Sequence, residues 1–356
     1  MAAFDNINTV IHCRNGLVDL ATGHLLDSGK DFLNLKRADV IFENGDKCPT
    51  WDAFVRDIFP DDSLRLYVQK ALGYALTGEV DEQVFFIAYG YGANGKSTLF
   101  EVVKEILGDY AGTFDFNLLL ASDRTSVRAQ EQIGKLRGVR MAVASETDST
   151  RKFDEAIVKR LTGGDTLTGT KMYGDTYDFL PTHKLFLLCN HLPAIKDATD
   201  AIWRRIRIIP FERQFTGNEV IHDMKARLLG ERSGIFAWLV EGAKMYYHSG
   251  LGDPPKVVID AVTRYREDND ILSRFISDCL LFDKETRTPA SEVYDAYLRW
   301  CIENKEQNIS NNFFARGMEE RKLKKHRFND GISYLGVRLK QDYVRFDYSG
   351  MRPISK

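Results

Sequence analysis

Cysteine is scarce and scattered in this chain. The five cysteines, at 13, 48, 189, 279 and 301, form no CxxC pair and join no histidine cluster. That argues against a disulfide framework and a structural zinc site, and for free thiols in a reducing compartment. Long apolar runs are missing too. No stretch approaches the roughly 18 residues a membrane span needs. The opening MAAFDNINTV lacks a basic region followed by an apolar run, so no secretory signal is expected. Charge of one sign is not in excess: 49 Lys and Arg face 51 Asp and Glu, for a net −2. Any nucleic-acid surface must therefore be local. Internal repeats and low-complexity tracts are absent, which sets aside solenoids and biased tails. The expectation is a cytoplasmic protein without membrane partners, or a nucleocytoplasmic one in a eukaryotic host.

What is present is concentrated in residues 84–107, VFFIAYGYGANGKSTLFEVVKEIL. Val84 to Ile87 read as a buried strand. Leu99, Phe100, Val103, Ile106 and Leu107 recur at helical spacing. Between them, Gly90 to Ser97 spell G-x-x-x-x-G-K-S, a phosphate-binding loop. Small residues let successive backbone N–H groups turn toward a phosphate, and the helix start adds its positive dipole end. The expected cradle is Gly90, Gly92, Ala93, Asn94, Gly95, Lys96, Ser97 and Thr98. Lys96 reaches the β- and γ-phosphates and Ser97 binds Mg²⁺. The cofactors implied are ATP and Mg²⁺.

Three regions separate along the chain. Residues 1–80 begin with an irregular stretch containing NGLVDLATGHLL, whose Asn15-Gly16 and Thr22-Gly23 steps mark the turns of a small hairpin. Helical patterns follow at 51–59 and 64–76, so this reads as a small helical domain. Residues 81–250 alternate strand and helix, as in an α/β domain with a mostly parallel sheet, and close on a helix over 231–248. Gly250, Gly252, Pro254 and Pro255 make a linker-like break. Residues 256–345 form a third, mostly helical unit.

Further chemistry lies at strand ends. VRMAVASETD (139–148) is an apolar strand ending in Ser145, Glu146 and Asp148. Glu146 is placed to polarise water and, with Ser97, to hold hydrated Mg²⁺; Ser145 stands where an Asp-Glu pair has its first acid, so metal contact there passes through Ser145 and water. HKLFLLCN (183–190) ends in Asn190, an amide suited to the γ-phosphate or the attacking water. In WRRIRIIPF (203–211), Arg204 and Arg205 offer a delocalised cation to a neighbour's γ-phosphate. Either can be the finger, with Arg204 slightly favoured. TLTGTKMY and TYDFLP read as the strands of a hairpin carrying Lys171, Tyr173 and Tyr177, suited to a single-stranded backbone and its bases.

These elements, in this order, resemble the superfamily 3 helicases. The likeness is strongest to the helicase half of phage and plasmid primase-helicases and of the poxvirus primase-helicase, and covers nearly the whole chain. It matches Gly90 to Thr98 to the family's Walker A form and Glu146 to its Walker B acid. Lys171 then falls in the hairpin before sensor 1, Asn190 is the sensor-1 asparagine, and WRRI supplies the arginine finger. The fold implied is α/β: an AAA+ type P-loop ATPase core with a helical N-terminal domain and a C-terminal winged helix. The activity implied is ATP-driven DNA unwinding by a hexameric ring, 3′ to 5′, in replication of a phage, plasmid or other viral element. Two further expectations are a bacterial host cytoplasm and a primase domain or polymerase as partner.

The third region has its own reading. Residues 291–305 are amphipathic, 311–328 look like a second helix with a basic end, and ISYLGVRL (332–339) suits the strand of a wing. Over 311–345 nine Lys or Arg face four acids. Lys322, Lys324, Lys325 and Arg327 are the expected duplex contacts. No hhhDhD acidic pair of a polymerising primase occurs upstream, so the chain is either a stand-alone helicase or part of a longer primase-helicase. No Asn-Lys-x-Asp guanine reader follows the loop. Two rivals stay open: a DNA-dependent ATPase that remodels without unwinding, and an initiator whose ATP site only controls assembly.

Overall fold

The Asn15-Gly16 and Thr22-Gly23 steps each turn the chain, giving strands β1 (Val10–Cys13), β2 (Gly16–Asp19) and β3 (Leu25–Leu26) in one antiparallel sheet. The structure, a computed structural model, describes residues 7–26, 35–120, 127–146, 152–171, 174–195, 200–306, 308–343, 346–347 and 352–353. The chain forms two units, Met1–Tyr265 and Arg266–Lys356. In the first, α1 (Pro49–Ile58) starts with proline in its first turn and buries Trp51, Phe54, Val55 and Ile58. Helix α2 (Asp62–Tyr74) is capped by Asp61, whose carboxylate accepts from Leu64 N at 2.8 Å.

Sheet and helices alternate next. They run β4 (Phe85–Tyr89), α3 (Lys96–Leu107), β5 (Ala111–Thr113), α4 (Val127–Gly134), β6 (Met141–Ser145) and α5 (Glu155–Leu161). Then come β7 (Leu167–Thr170), β8 (Thr176–Phe179), β9 (Lys184–Cys189), α6 (Asp200–Trp203), β10 (Ile206–Pro210), α7 (Met224–Leu229) and α8 (Arg232–Ser249). Five of these strands make one parallel sheet in the order β10-β4-β9-β6-β5. Phe85, Phe86, Ile87, Leu185, Phe186 and Leu187 are buried, as strands covered on both faces require. Each such side chain contributes about 1.5–3 kcal/mol on burial.

The helical segment before residue 80 is not a separate body. One hydrophobic core joins Ile11, Trp51 and Leu72 to Phe186, Leu239 and Val258. Helix α2 crosses α8 at two glycines: a Cβ on Gly73 would overlap the backbone of Gly242 and Ala243, and one on Gly242 would overlap Gln69. That approach lets Tyr74 and Tyr246 meet with centroids 4.5 Å apart. Two buried cations complete the join. Lys184, at the start of β9, donates to the carbonyls of Thr77, Glu79 and Thr182. Arg140 donates to Leu76 O at 2.6 Å and Ile7 O at 3.0 Å.

Beside Lys184, His183 is wholly buried and contacts Leu161 O through Nε2 at 3.1 Å. Burial, with the Lys184 charge, lowers its pKa to about 4. The folded chain therefore resists a proton that the unfolded chain takes up near pH 6.5, so stability falls as pH drops from about 6.5 toward 4. Between pH 7.5 and 5 this group should cost about 2 kcal/mol. Urea unfolding at the two pH values should show that loss in the wild type and much less of it in His183→Gln. Equal losses in both would remove His183 as the cause.

The second unit begins inside α9 (Lys256–Asn269), after Tyr265 rather than at 256. Val258 and Tyr265 are buried in the first unit's cores. The unit continues with α10 (Ile271–Cys279), β11 (Leu280–Pro289), α11 (Ala290–Glu303), α12 (Asn311–Glu320), β12 (Lys325–Phe328) and β13 (Gly331–Leu339). Phe275, Tyr297 and Phe314 pack as aromatic pairs in its core. The strands form an antiparallel sheet in the order β11-β13-β12. The helix expected over 311–328 stops at Glu320. Lys322 takes a left-handed φ of 65° and Leu323 turns back into the core. Lys325 and Arg327 therefore lie on a hairpin strand, not on a helix end. Among the described residues no helix is long and apolar enough to cross a membrane.

Candidate active site

The carboxyl ends of β4, β6, β9 and β10 share one edge of the parallel sheet, where open α/β sheets bind ligands. Pairing register explains the convergence: Tyr89 lies opposite Cys189, and Ser145 opposite Leu188. Gly90, Glu146, Asn190 and Phe211 each follow at the strand tips. The glycine-rich loop bends through Ala93 (φ 57°) and Gly95 (φ 80°). A Cβ on Gly95 would lie 2.8 Å from Ile58 and one on Gly90 would clash with Phe211 O, so both positions need glycine. Gly92 faces open space, and Ser97 is exposed at the start of α3. Ser97 and Ser145 line a cavity of about 260 Å³.

Asn94 is a buried brace. Its Nδ2 donates to Phe211 O at 3.3 Å and its Oδ1 accepts from Lys96 N at 3.3 Å. Lys96, 6% exposed, aims Nζ at Gly90 O (2.7 Å), Cys189 O (2.8 Å) and Asn190 Oδ1 (2.9 Å). Burial pulls its pKa below the ordinary lysine value, and the nearby Glu146 charge opposes that fall. A buried ammonium on three neutral oxygens is a strong anion site.

Glu146 is held by the segment after β9. Its Oε2 accepts the amides of Asn190 and His191, each at 2.8 Å. Its Oε1 is buried and has no hydrogen bond among the described residues. Sequence reasoning paired Glu146 with Ser97 but missed His191, which carries no motif of its own. A hydroxyl at Ser97 and a carboxylate at Glu146 are hard oxygen donors that suit Mg²⁺. Asp148 lies outside the described residues.

The two arginines separate by environment. Arg205 is buried: it donates to Ala201 O at 2.7 Å and Gln83 Oε1 at 3.4 Å, and burial lowers its pKa. Arg204 is exposed, with no side-chain hydrogen bond or ion pair among the described residues. Both precede β10, at the sheet edge opposite the loop. Five residues of β10 span about 16 Å, farther than an arginine side chain reaches.

Comparison with known proteins is consistent across the chain. Residues 2–60 match a family described as D5 N terminal like, and 267–338 one described as Poxvirus D5 protein-like. Residues 88–205 match a family of unknown function (DUF5906). A protein of Acanthamoeba polyphaga mimivirus, named as a candidate helicase, is 30% identical over 329 residues, 84% of this chain and 34% of that protein. The chain is thus similar, over most of its length, to D5-like viral proteins named as helicases and primases. A candidate helicase of Frog virus 3 (isolate Goorha) is 26% identical over 71% of this chain and 28% of its own length. A candidate primase of African swine fever virus (strain Badajoz 1971 Vero-adapted) is 24% identical over 70% and 28%. The chain spans about a third of the length of these relatives. The apo C-terminal region of NrS-1 (305–718) shares its fold, with a TM-score of 0.56 at 12% identity over 86% of this chain and 80% of that one.

The remaining surfaces of the chain sort as follows. Strands β7 and β8 form the expected hairpin, with Lys171 exposed at its turn. Tyr177 is tied instead to Gly134 O at 2.9 Å. Tyr173 lies outside the described residues. In the second unit Lys322, Lys324 and Arg327 are exposed. Lys325 is half-buried, paired with Glu319 at 3.4 Å and set over the Tyr334 ring.

Proposed function

We propose that this chain is the ATP-driven motor of a DNA helicase in viral replication, working as a ring, expected to be hexameric and to move 3′ to 5′. The carrying observation is the meeting of Lys96, Glu146 and Asn190 at one sheet edge while Arg204 stands exposed at the other. Lys96 and the loop amides hold the ATP phosphates, and Asn190 reports on the γ-phosphate. Glu146 takes the proton of the attacking water. Ser97 directly, and Glu146 through metal-bound water, would hold Mg²⁺, which when bound offsets charge on the phosphate oxygens. Arg204, too far from its own loop, serves the neighbouring subunit's site, while Arg205 braces Ala201 and Gln83 within its own chain. Lys171 follows the single-stranded backbone inside the ring. In the second unit Lys322, Lys324 and Arg327 contact duplex phosphates, in an arrangement we assign to a winged helix. The core is then of the AAA+ kind.

The test is strand displacement. With ATP and Mg²⁺ the chain should separate a forked duplex carrying a 3′ single-stranded tail and not one carrying only a 5′ tail. DNA-stimulated turnover with no displacement on either fork would favour a remodelling ATPase instead.

A further inference from the structure

We propose that His191 is a second catalytic residue, holding the attacking water together with Glu146; this rests on the ATPase reading above. The two oxygens of Glu146 are not equivalent. Oε2 is saturated by two backbone amides. Oε1 is buried, in a side chain only 8% exposed, and bonds to none of the described residues. The side-chain atom facing it is His191 Nδ1, at 3.9 Å. That separation is too long for a direct hydrogen bond. It is short enough for one water to bond both atoms.

The imidazole is oriented for this task. Tyr91, from the phosphate-binding loop, meets it edge-to-face with centroids 6.0 Å apart and planes at 81°. The Tyr91 hydroxyl lies 3.4 Å from that of Tyr89. His191 therefore acts twice: its backbone N–H fixes one carboxylate oxygen, and its ring completes a water position beside the other. Asn190, the preceding residue, binds the Lys96 ammonium, so phosphate cradle and water position share one short segment.

The step balances. The water oxygen bonds to the γ-phosphorus, and the bond from that phosphorus to the β–γ bridging oxygen breaks, releasing ADP. The water's first proton passes to Glu146 Oε1. With the ring proton on Nε2, Nδ1 accepts a hydrogen bond from the second hydrogen, which leaves with the phosphate.

Two substitutions separate this role from packing. His191→Phe keeps a ring against Tyr91 and removes the acceptor. His191→Asn keeps an acceptor close to the Nδ1 position and removes the ring. Turnover with single-stranded DNA, and binding of a fluorescent ATP analogue, are measured for both in the full chain. His191→Phe should lower kcat by about 30-fold or more, with KM and analogue affinity within about twofold of wild type. His191→Asn should recover to within about fivefold of wild type. Wild-type kcat in His191→Phe, equal loss in both variants, or lost analogue binding in His191→Phe would overturn the role. A wild-type chain that binds the analogue but never hydrolyses ATP would overturn the ATPase reading itself, and this inference with it.

Discussion

Lys96→Ala should lower ATP turnover by about 10³-fold while the folded protein persists. The ammonium donates to Gly90 O, Cys189 O and Asn190 Oδ1. Removing it takes away the charge expected to bear on the transferring phosphoryl group, an electrostatic contribution of the size such donors usually make. The fold should not suffer in proportion. A buried cation with lowered pKa costs desolvation energy that its neutral partners only partly offset. The thermal midpoint of Lys96→Ala without nucleotide should therefore match or exceed that of wild type. ATP should raise the midpoint of wild type by mass action and leave the variant's unchanged. Wild-type-like turnover in Lys96→Ala would remove the whole proposed scheme.

The parts of this site that were legible in the sequence are those encoded by local pattern. A run such as Val84 to Ile87 followed by glycines and an amphipathic helix can form little but a strand, loop and helix. The strand ends at Ser145 and Cys189 were visible for the same reason. What lay hidden depends on contacts between distant residues. The amides that hold Glu146 come from Asn190 and His191, 44 and 45 residues on, and only the β6–β9 register brings them there. Arg204 and Arg205 have indistinguishable sequence surroundings; burial alone separates them. The α2–α8 crossing at Gly73 and Gly242 joins segments whose helical periods were plain but whose partnership was not. The end of α12 misled because basic residues suit a helix terminus as well as a hairpin strand. The left-handed turn at Lys322 decided it.

Mixing two inactive proteins should restore activity if the exposed arginine works across a subunit boundary. Arg204→Ala alone should cost about 10³-fold in turnover, the usual worth of an arginine finger. It should leave nucleotide binding and folding intact, because the side chain makes no hydrogen bond or ion pair among the described residues. Lys96→Ala keeps its arginine and lacks its own cradle. In a mixed ring, an Arg204→Ala subunit next to a Lys96→Ala neighbour regains a complete site: cradle from one, arginine from the other. Turnover should rise above both parents and peak near equal proportions. Arg205→Ala predicts a different pattern. Its guanidinium braces Ala201 O and Gln83 within one chain, so its loss should lower the unfolding midpoint and should not be rescued by mixing. Absence of rescue for Arg204→Ala at every ratio, with mixed assemblies verified by mass, would end the case for action in trans.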